Sequence, residues 1–245
     1  MRRERTDFLL EIGCEEIPAR MIAKAAGELQ VILEKMLTSE HLVDEGGAVE
    51  TFGAPRRLVA AVQAVRVRQK DLTRGVTGPP KSVAYDSGGR PTKAAESFAA
   101  KQGVPVEALK IVPTERGECV HAEKIIRGRP AAEILAQILP RAIAEIPWPR
   151  SMYWARLHGP RFIRPVRWIV ALLAGRVVPL EFAGVRSGKF SAGHRFLGKA
   201  KVPVSGVRDF EKNLKKNFVL VRPDDRRKKI QREMRKERLD HIREH

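Results

Sequence analysis

Residues 11–21, EIGCEEIPARM, end an apolar run with the thiol of Cys14 and the carboxylates of Glu15 and Glu16. A thiol beside acidic groups could serve as a nucleophile or as part of a soft metal site. The helix dipole would activate a thiolate here, but Glu15 and Glu16 would raise its pKa instead. Two carboxylates in the first turn of a helix are what the dipole favours. The stretch is therefore read as the corner where a strand becomes a helix.

Three basic clusters offer a different chemistry, that of phosphate binding. GAPRRL sets Arg56 and Arg57 just after a proline-fixed turn, and alternation along a strand must point one of them away from the core face. An exposed guanidinium fork matches phosphate geometry, although pairing with nearby carboxylates would equally explain both residues. RLHGPRFIRPVRW spaces Arg161, Arg164 and Arg167 by three with Phe162 and Trp168 interleaved, a mixture suited to phosphates and base stacking. The same two aromatics serve as core residues in the plainer reading. SGKFSAGHRFLGK carries Lys189, His194, Arg195 and Lys199 on glycine-punctuated backbone that could approach a ligand closely; Phe190 and Phe196 would otherwise anchor a simple loop. Arg161, Arg164, Arg167, His194 and Arg195 are the first candidates for RNA contact, followed by Arg56 and Arg57.

Other chemistries find little support. GKFSAGHR has two glycines at Walker spacing but His194-Arg195 where Lys and Ser/Thr are required, and no GxGxxG occurs. Cys119 and His121 stand without further ligands at zinc spacing, and no nucleophile elbow is present. No catalytic or metal residue, and no cofactor site, is assigned to this chain.

These residues need elements to position them. DFLLEIG (7–13) reads as a buried strand, followed from Pro18 to about Leu37 by a helix with Met21, Ala25, Leu29, Ile32 and Met36 on one side. Residues 48–69 read as two strands around GAPR. Residues 70–91, rich in Gly, Pro, Ser and Asp, read as a connector. TKAAESFAAKQG (92–103) is a helix capped by Thr92 and Gly103; ECVHAEKIIRG (118–128) is a strand, and a helix runs from Pro130 to about Ile146. Residues 160–185 form a hairpin or meander turning at AGR; a short helix follows Ser205, then a strand FVLV (218–221). From Pro223 onward comes a charged helix with a thin stripe of Ile230, Met234, Leu239 and Ile242. The expected division is an α/β lobe over 1–69, the connector 70–91, a second α/β lobe over 92–221 with the basic loops, and the helix 222–245. The fold class is mixed α/β (α+β), sheets flanked by helices.

Bulk charge agrees with the clusters. Among 245 residues, 47 Lys and Arg face 29 Asp and Glu, a formal charge of +18, and residues 222–245 contribute only ten basic against six acidic groups. The folded part is itself basic, which favours a polyanionic partner. Two cysteines and no secretory segment suggest a reducing cytoplasm, and the longest apolar run, WIVALLA, is far short of the roughly 20 residues that cross a bilayer.

At LLEIGCEEIPARM, FGAPRRLVAAV, GPPKSVAYDSGGRPTKAAESFA, FIRPVRWIVALL and SGKFSAGHRFLG, in that order from residue 9 to 198, the sequence resembles the beta subunit of the bacterial two-subunit glycyl-tRNA synthetase. The family usually has Thr at Cys14, and Met-Arg-Trp where this chain has Met152-Tyr153-Trp154; its members also continue into a helical and an anticodon-binding region. The resemblance implies a B3/B4-like body, similar to that of the phenylalanyl enzyme's beta chain. It implies a partner alpha subunit holding ATP, Mg and glycine, an alpha2beta2 assembly, and tRNA(Gly) as the RNA bound. Two rivals are a module that docks the alpha subunit and an editing-like hydrolytic domain; for the latter the sequence supplies no nucleophile.

Overall fold

The computed structural model describes residues 4–115, 117–154 and 159–243. Its first strand, β1 (Arg5–Cys14), is buried at every residue from Phe8 to Cys14, which is why this stretch is apolar on both faces, except at Glu11, rather than alternating. Pro18 caps α1 (Ala19–Ser39), whose buried line is Ile22, Ala25, Leu29, Leu33 and Leu37. The expected Met21, Ile32 and Met36 flank that line, partly buried against the same core. β2 (Val49–Ala54) and β3 (Arg57–Arg66) form the expected hairpin around Pro55 and Arg56, with Ala54 opposite Arg57.

The chain then builds a second unit, Gln69–Gly128, distinct from the unit made by residues up to Arg68 and from Arg129 onward. Its elements are β4 (Leu72–Pro80), α2 (Lys81–Ala84), α3 (Lys93–Gln102), β5 (Lys110–Thr114) and β6 (Gly117–Ile126), with an antiparallel sheet ordered β4-β6-β5. The expected connector is therefore corrected over 72–80, which pairs with β6 from Leu72 opposite Ile126 to Pro80 opposite Cys119. Its glycines read as loop punctuation but serve packing. A Cβ at Gly75 would meet the His121 ring at 2.5 Å, and one at Gly78 the Phe98 ring at 2.7 Å. α3 is capped as expected: Thr92 Oγ1 accepts from the Ala94 N–H at 3.3 Å, and Gly103 is left-handed at φ +71°. The expected lobe over 92–221 is not one unit, because the strand and helix around Pro130 fall on opposite sides of the division.

The first unit resumes with α4 (Ala131–Glu145), the short pair β7 (Met152–Tyr153) and β8 (Arg161–Phe162), and β9 (Val166–Leu173). β10 (Arg176–Val177), β11 (Glu181–Phe182), β12 (Val185–Gly188), β13 (Phe190–Ser191) and β14 (Val202–Pro203) follow, then α5 (Val207–Lys216) and α6 (Pro223–Arg243). The principal sheet runs β11-β12-β9-β1-β3-β2, with β10 also on β9. β1 is central and antiparallel to both neighbours, β3 and β9.

The two faces of β1 feed two cores. Phe8, Leu10 and Ile12 join α1 and α4 in the larger one; Leu9 joins Val59, Ala61, Val170, Leu172 and, from α5, Phe210 and Leu214 in the other. Covering both faces explains the imperfect alternation of β3. The expected strand FVLV is absent: Phe218 is left-handed at φ +61° and belongs to the C-terminal cap of α5. On α6, Ile230 and Met234 are exposed; the side chains of Leu239 and Ile242 lie outside the described residues. Among the described residues no helix is long and apolar enough to cross a membrane.

Candidate nucleic-acid interface

On the α5 face of the sheet, three cross-strand neighbours form a unit: Gly13 of β1 lies opposite Arg57 of β3 on one side and Trp168 of β9 on the other. The indole occupies the space a side chain at Gly13 would need, since a Cβ there would fall 1.9 Å from the ring. The guanidinium carbons of Arg56 and Arg57 lie 5.5 and 5.3 Å from the Trp168 ring centroid, a cation–π arrangement. Two residues before Gly13, and on the same face, Glu11 is wholly buried and accepts from Arg57 Nη1 at 2.8 Å and from the Ser191 hydroxyl at 2.8 Å. Arg57 also donates to the Ala192 carbonyl at 2.7 Å.

Burial pushes the Glu11 carboxyl up, while Arg57, Ser191 and Trp168 favour its ionised form. Trp168 Nε1 approaches without completing a hydrogen bond of normal geometry, and Glu11 Oε2 likewise has no partner. This ion pair fastens β1, β3 and the β13 region to one another. Arg57 is thus enclosed in the body, which corrects its assignment to RNA contact: it is 2% exposed and a phosphate cannot reach it.

One step further along β1 the chain leaves the sheet and meets the other basic motifs. Cys14 N–H donates to the Arg56 carbonyl at 2.9 Å, Glu15 N–H to Pro165 at 3.1 Å, and Ile17 N–H to Pro55 at 2.6 Å. EIGCEE, GAPRR and FIRPVRW are braced together by these main-chain bonds. Around the braced corner, Glu15 takes Arg167 Nε at 3.0 Å, Arg56 at 3.8 Å and a short contact from Arg195. Glu16 takes Arg195 at 3.3 Å and Arg56 at 4.0 Å, and its carbonyl accepts from Arg164 Nε at 3.1 Å. Three guanidinium groups therefore gather on two carboxylates, and a fourth, Arg164, on the adjacent main-chain carbonyl. The expected dipole-capping role of Glu15 and Glu16 is corrected, because α1 begins at Ala19 and has no acidic residue in its first turn.

The His194-Arg195 loop is held tightly rather than loosely. Gly193 N–H donates to Lys199, Gly198 N–H to His194, and His194 N–H to Asn217, all at 2.8–2.9 Å. A Cβ at Gly198 would fall 2.5 Å from the Asn217 carbonyl, so these glycines permit close approach to the α5 cap rather than to a ligand. Neither phenylalanine anchors the loop in a core, as Phe196 is 84% and Phe190 44% exposed. Beside the loop lies a cleft of about 310 Å³ whose wall and rim include Arg56, His194, Arg195, Phe196, Phe218 and Arg226.

The sequence matches the family described as glycyl-tRNA synthetase beta subunit over residues 8–243. The chain belongs to that family. It is 44% identical over 228 residues to the glycine–tRNA ligase beta subunit of Citrifermentans bemidjiense, covering 93% of this chain and 33% of that protein. It is 44% identical over 237 residues to the corresponding subunit of Acidobacterium capsulatum (96% and 33%) and 38% identical over 230 residues to that of Syntrophus aciditrophicus (94% and 33%). The chain spans about a third of the length of the curated relatives it matches.

The structure brings Arg56, Arg164, Arg167, His194 and Arg195 to one region. Arg161 stands apart on β8, donating to the Ser151 carbonyl at 2.8 Å with Tyr153 under its guanidinium at 5.3 Å. Residues 156–158 of the same motif lie outside the described residues. Sequence reasoning missed Glu11 and Ser191; a charged residue inside an otherwise apolar strand was the available signal. It also missed Arg226 and Phe218, for which spacing gave none.

Cys14 is buried, and its thiol is pushed up to about 12, first by burial, against which Arg56 and Arg57 pull it down. The thiol stays protonated throughout the physiological range. Native protein at pH 8 should resist alkylation at Cys14 by iodoacetamide and react there only after unfolding, as mass spectrometry of the peptide would show; rapid native labelling would contradict this.

Proposed function

We propose that the chain is the N-terminal part of a glycine–tRNA ligase beta subunit whose basic surface holds the sugar–phosphate backbone of tRNA(Gly). The partner alpha subunit then binds ATP, Mg and glycine and carries out aminoacylation, in a cytoplasmic alpha2beta2 assembly. The observation that carries the reading is the convergence of Arg56, Arg164, Arg167 and Arg195 on one corner, where two carboxylates meet three of the guanidinium groups and the Glu16 carbonyl the fourth, in a chain of charge +18. Guanidinium clusters of this kind position a polyanion without reading its sequence. Arg161, with no carboxylate partner among the described residues, adds a further phosphate contact on β8.

The exposed Ile230 and Met234 on α6 favour a second role, docking of the alpha subunit. Titrating tRNA and alpha subunit separately onto the purified chain distinguishes the two. The RNA reading expects tRNA binding without alpha subunit, and glycylation of tRNA only once alpha subunit and the complete beta chain are supplied. Glycyl-tRNA formation by this chain alone, with ATP and glycine, would overturn the division of labour.

A further inference from the structure

We propose that the cleft between the Pro55–Arg56 turn and the Phe218 cap takes one unstacked nucleotide, its base against Phe196 and Phe218 and its phosphate at the rim held by Arg56 and Arg226. This deepens the RNA reading and rests on it. The cleft, about 310 Å³, falls at the lower end of the roughly 300–1,000 Å³ typical of small-ligand pockets. Its floor and walls are largely apolar, with Ala54, Pro55, Val219 and Leu220 beside the two aromatic rings.

Phe218 is the first sign of a built site. Its N–H donates to the Lys215 carbonyl at 3.2 Å and the Val219 N–H to Leu214 at 2.9 Å, the paired bonds of a Schellman cap. That cap needs a left-handed residue, for which glycine is the ordinary choice; an aromatic residue at φ +61° is strained there. The strain gains no core packing, because the ring is 63% exposed. Phe196, 84% exposed on the same cleft, offers a second ring. Every nucleobase has a face that stacks on such rings.

Cationic groups at the rim are the second sign. Arg226 donates to the carbonyls of Leu220, Val221 and Gly53 at 2.8–2.9 Å, and no carboxylate among the described residues pairs with it. Partial burial accordingly lowers its pKa. Arg56 has only long contacts with carboxylates, Nη2 to Glu15 at 3.8 Å and Nε to Glu16 at 4.0 Å, and its Nε makes no hydrogen bond. An anion at this rim would lie beside both guanidinium charges. Apolar rings beside these cations select a phosphate attached to a planar base, supplied either by an unpaired position of tRNA or by a free nucleotide.

The test uses the full chain with three probes: a single-stranded RNA carrying one 2-aminopurine, a duplex RNA of equal length, and AMP. Binding of the single strand should quench the 2-aminopurine. Phe196→Ala and Phe218→Gly should each weaken single-strand binding by about 5- to 150-fold while leaving the duplex unaffected. Glycine suits the left-handed cap, so Phe218→Gly should melt at or above the wild-type temperature, and loss of binding cannot then be assigned to misfolding. Equal single-strand binding by wild type and both variants, with no AMP binding that depends on the two rings, would overturn the nucleotide site, and retained duplex binding would show that the RNA reading survives. AMP binding that depends on both rings, in a chain that ignores every RNA, would support the nucleotide site and refute the RNA reading.

Discussion

Replacing Arg57 with methionine should destabilise the folded chain by about 3–5 kcal/mol, because the Glu11 carboxylate is left buried without its counter-charge. The size follows from asymmetry: an ion pair in a core contributes little net stability when both members are compared with apolar residues, but a lone buried charge is costly. The double replacement Glu11→Met with Arg57→Met should therefore recover most of the loss, as urea denaturation would measure. The single variant should also acquire a characteristic pH dependence. With the guanidinium gone, burial keeps the folded pKa of Glu11 above its unfolded value of about 4.3, so the folded state binds the proton more tightly. Its stability is then fully present below that unfolded value and is lost as pH rises through the folded pKa. Additive single and double losses, or a pH-independent defect, would show that the pair does not fasten β1 to β3.

The second large effect concerns the arginine corner. Changing Arg161, Arg167 and Arg195 together to alanine should reduce the dependence of log tRNA affinity on log salt by about two to three, at about 0.7–0.9 for each phosphate no longer neutralised. Exposed pairs of this kind contribute at most about 1 kcal/mol each, so the fold should survive. Glu15→Gln makes the opposite prediction. It removes the negative charge that Arg56, Arg167 and Arg195 share, and tRNA affinity at low salt should rise. If Glu15→Gln weakened binding as the arginine changes do, the cluster would be a structural brace rather than a phosphate site. Filter binding across a salt series reads both.

The elements carrying a strong period or a distinctive cap were legible in the sequence. Thr92 and Gly103 bound α3 as their chemistry requires, and the apolar run of β1, broken only by Glu11 between Phe8 and Cys14, announced a buried strand. Gly75 and Gly78 misled because a glycine that makes room for a ring is indistinguishable in sequence from one that makes a turn. Phe218 misled for the converse reason: β-propensity favours FVLV as a strand, and only the tertiary position of α5 places that phenylalanine in a left-handed cap. The division at Gly128 was hidden because local pattern joins β6 to α4 while packing separates them.

In the site, the residue types were legible but not their partners. Arg56 and Arg57 are adjacent in sequence, yet one reaches the surface corner and the other Glu11, forty-six positions away. The expectation that Glu15 and Glu16 serve the helix dipole failed because Pro18 sets the start of α1 after them, leaving both to meet arginines from three distant motifs.

Equilibrium binding of tRNA to the purified chain, followed from low to physiological salt, tests most directly whether this face grips an RNA backbone. The arginine corner and Arg161 predict binding at low salt that weakens with a log–log slope of about −3 or steeper. Absence of binding at low salt, or an affinity indifferent to salt, would contradict it.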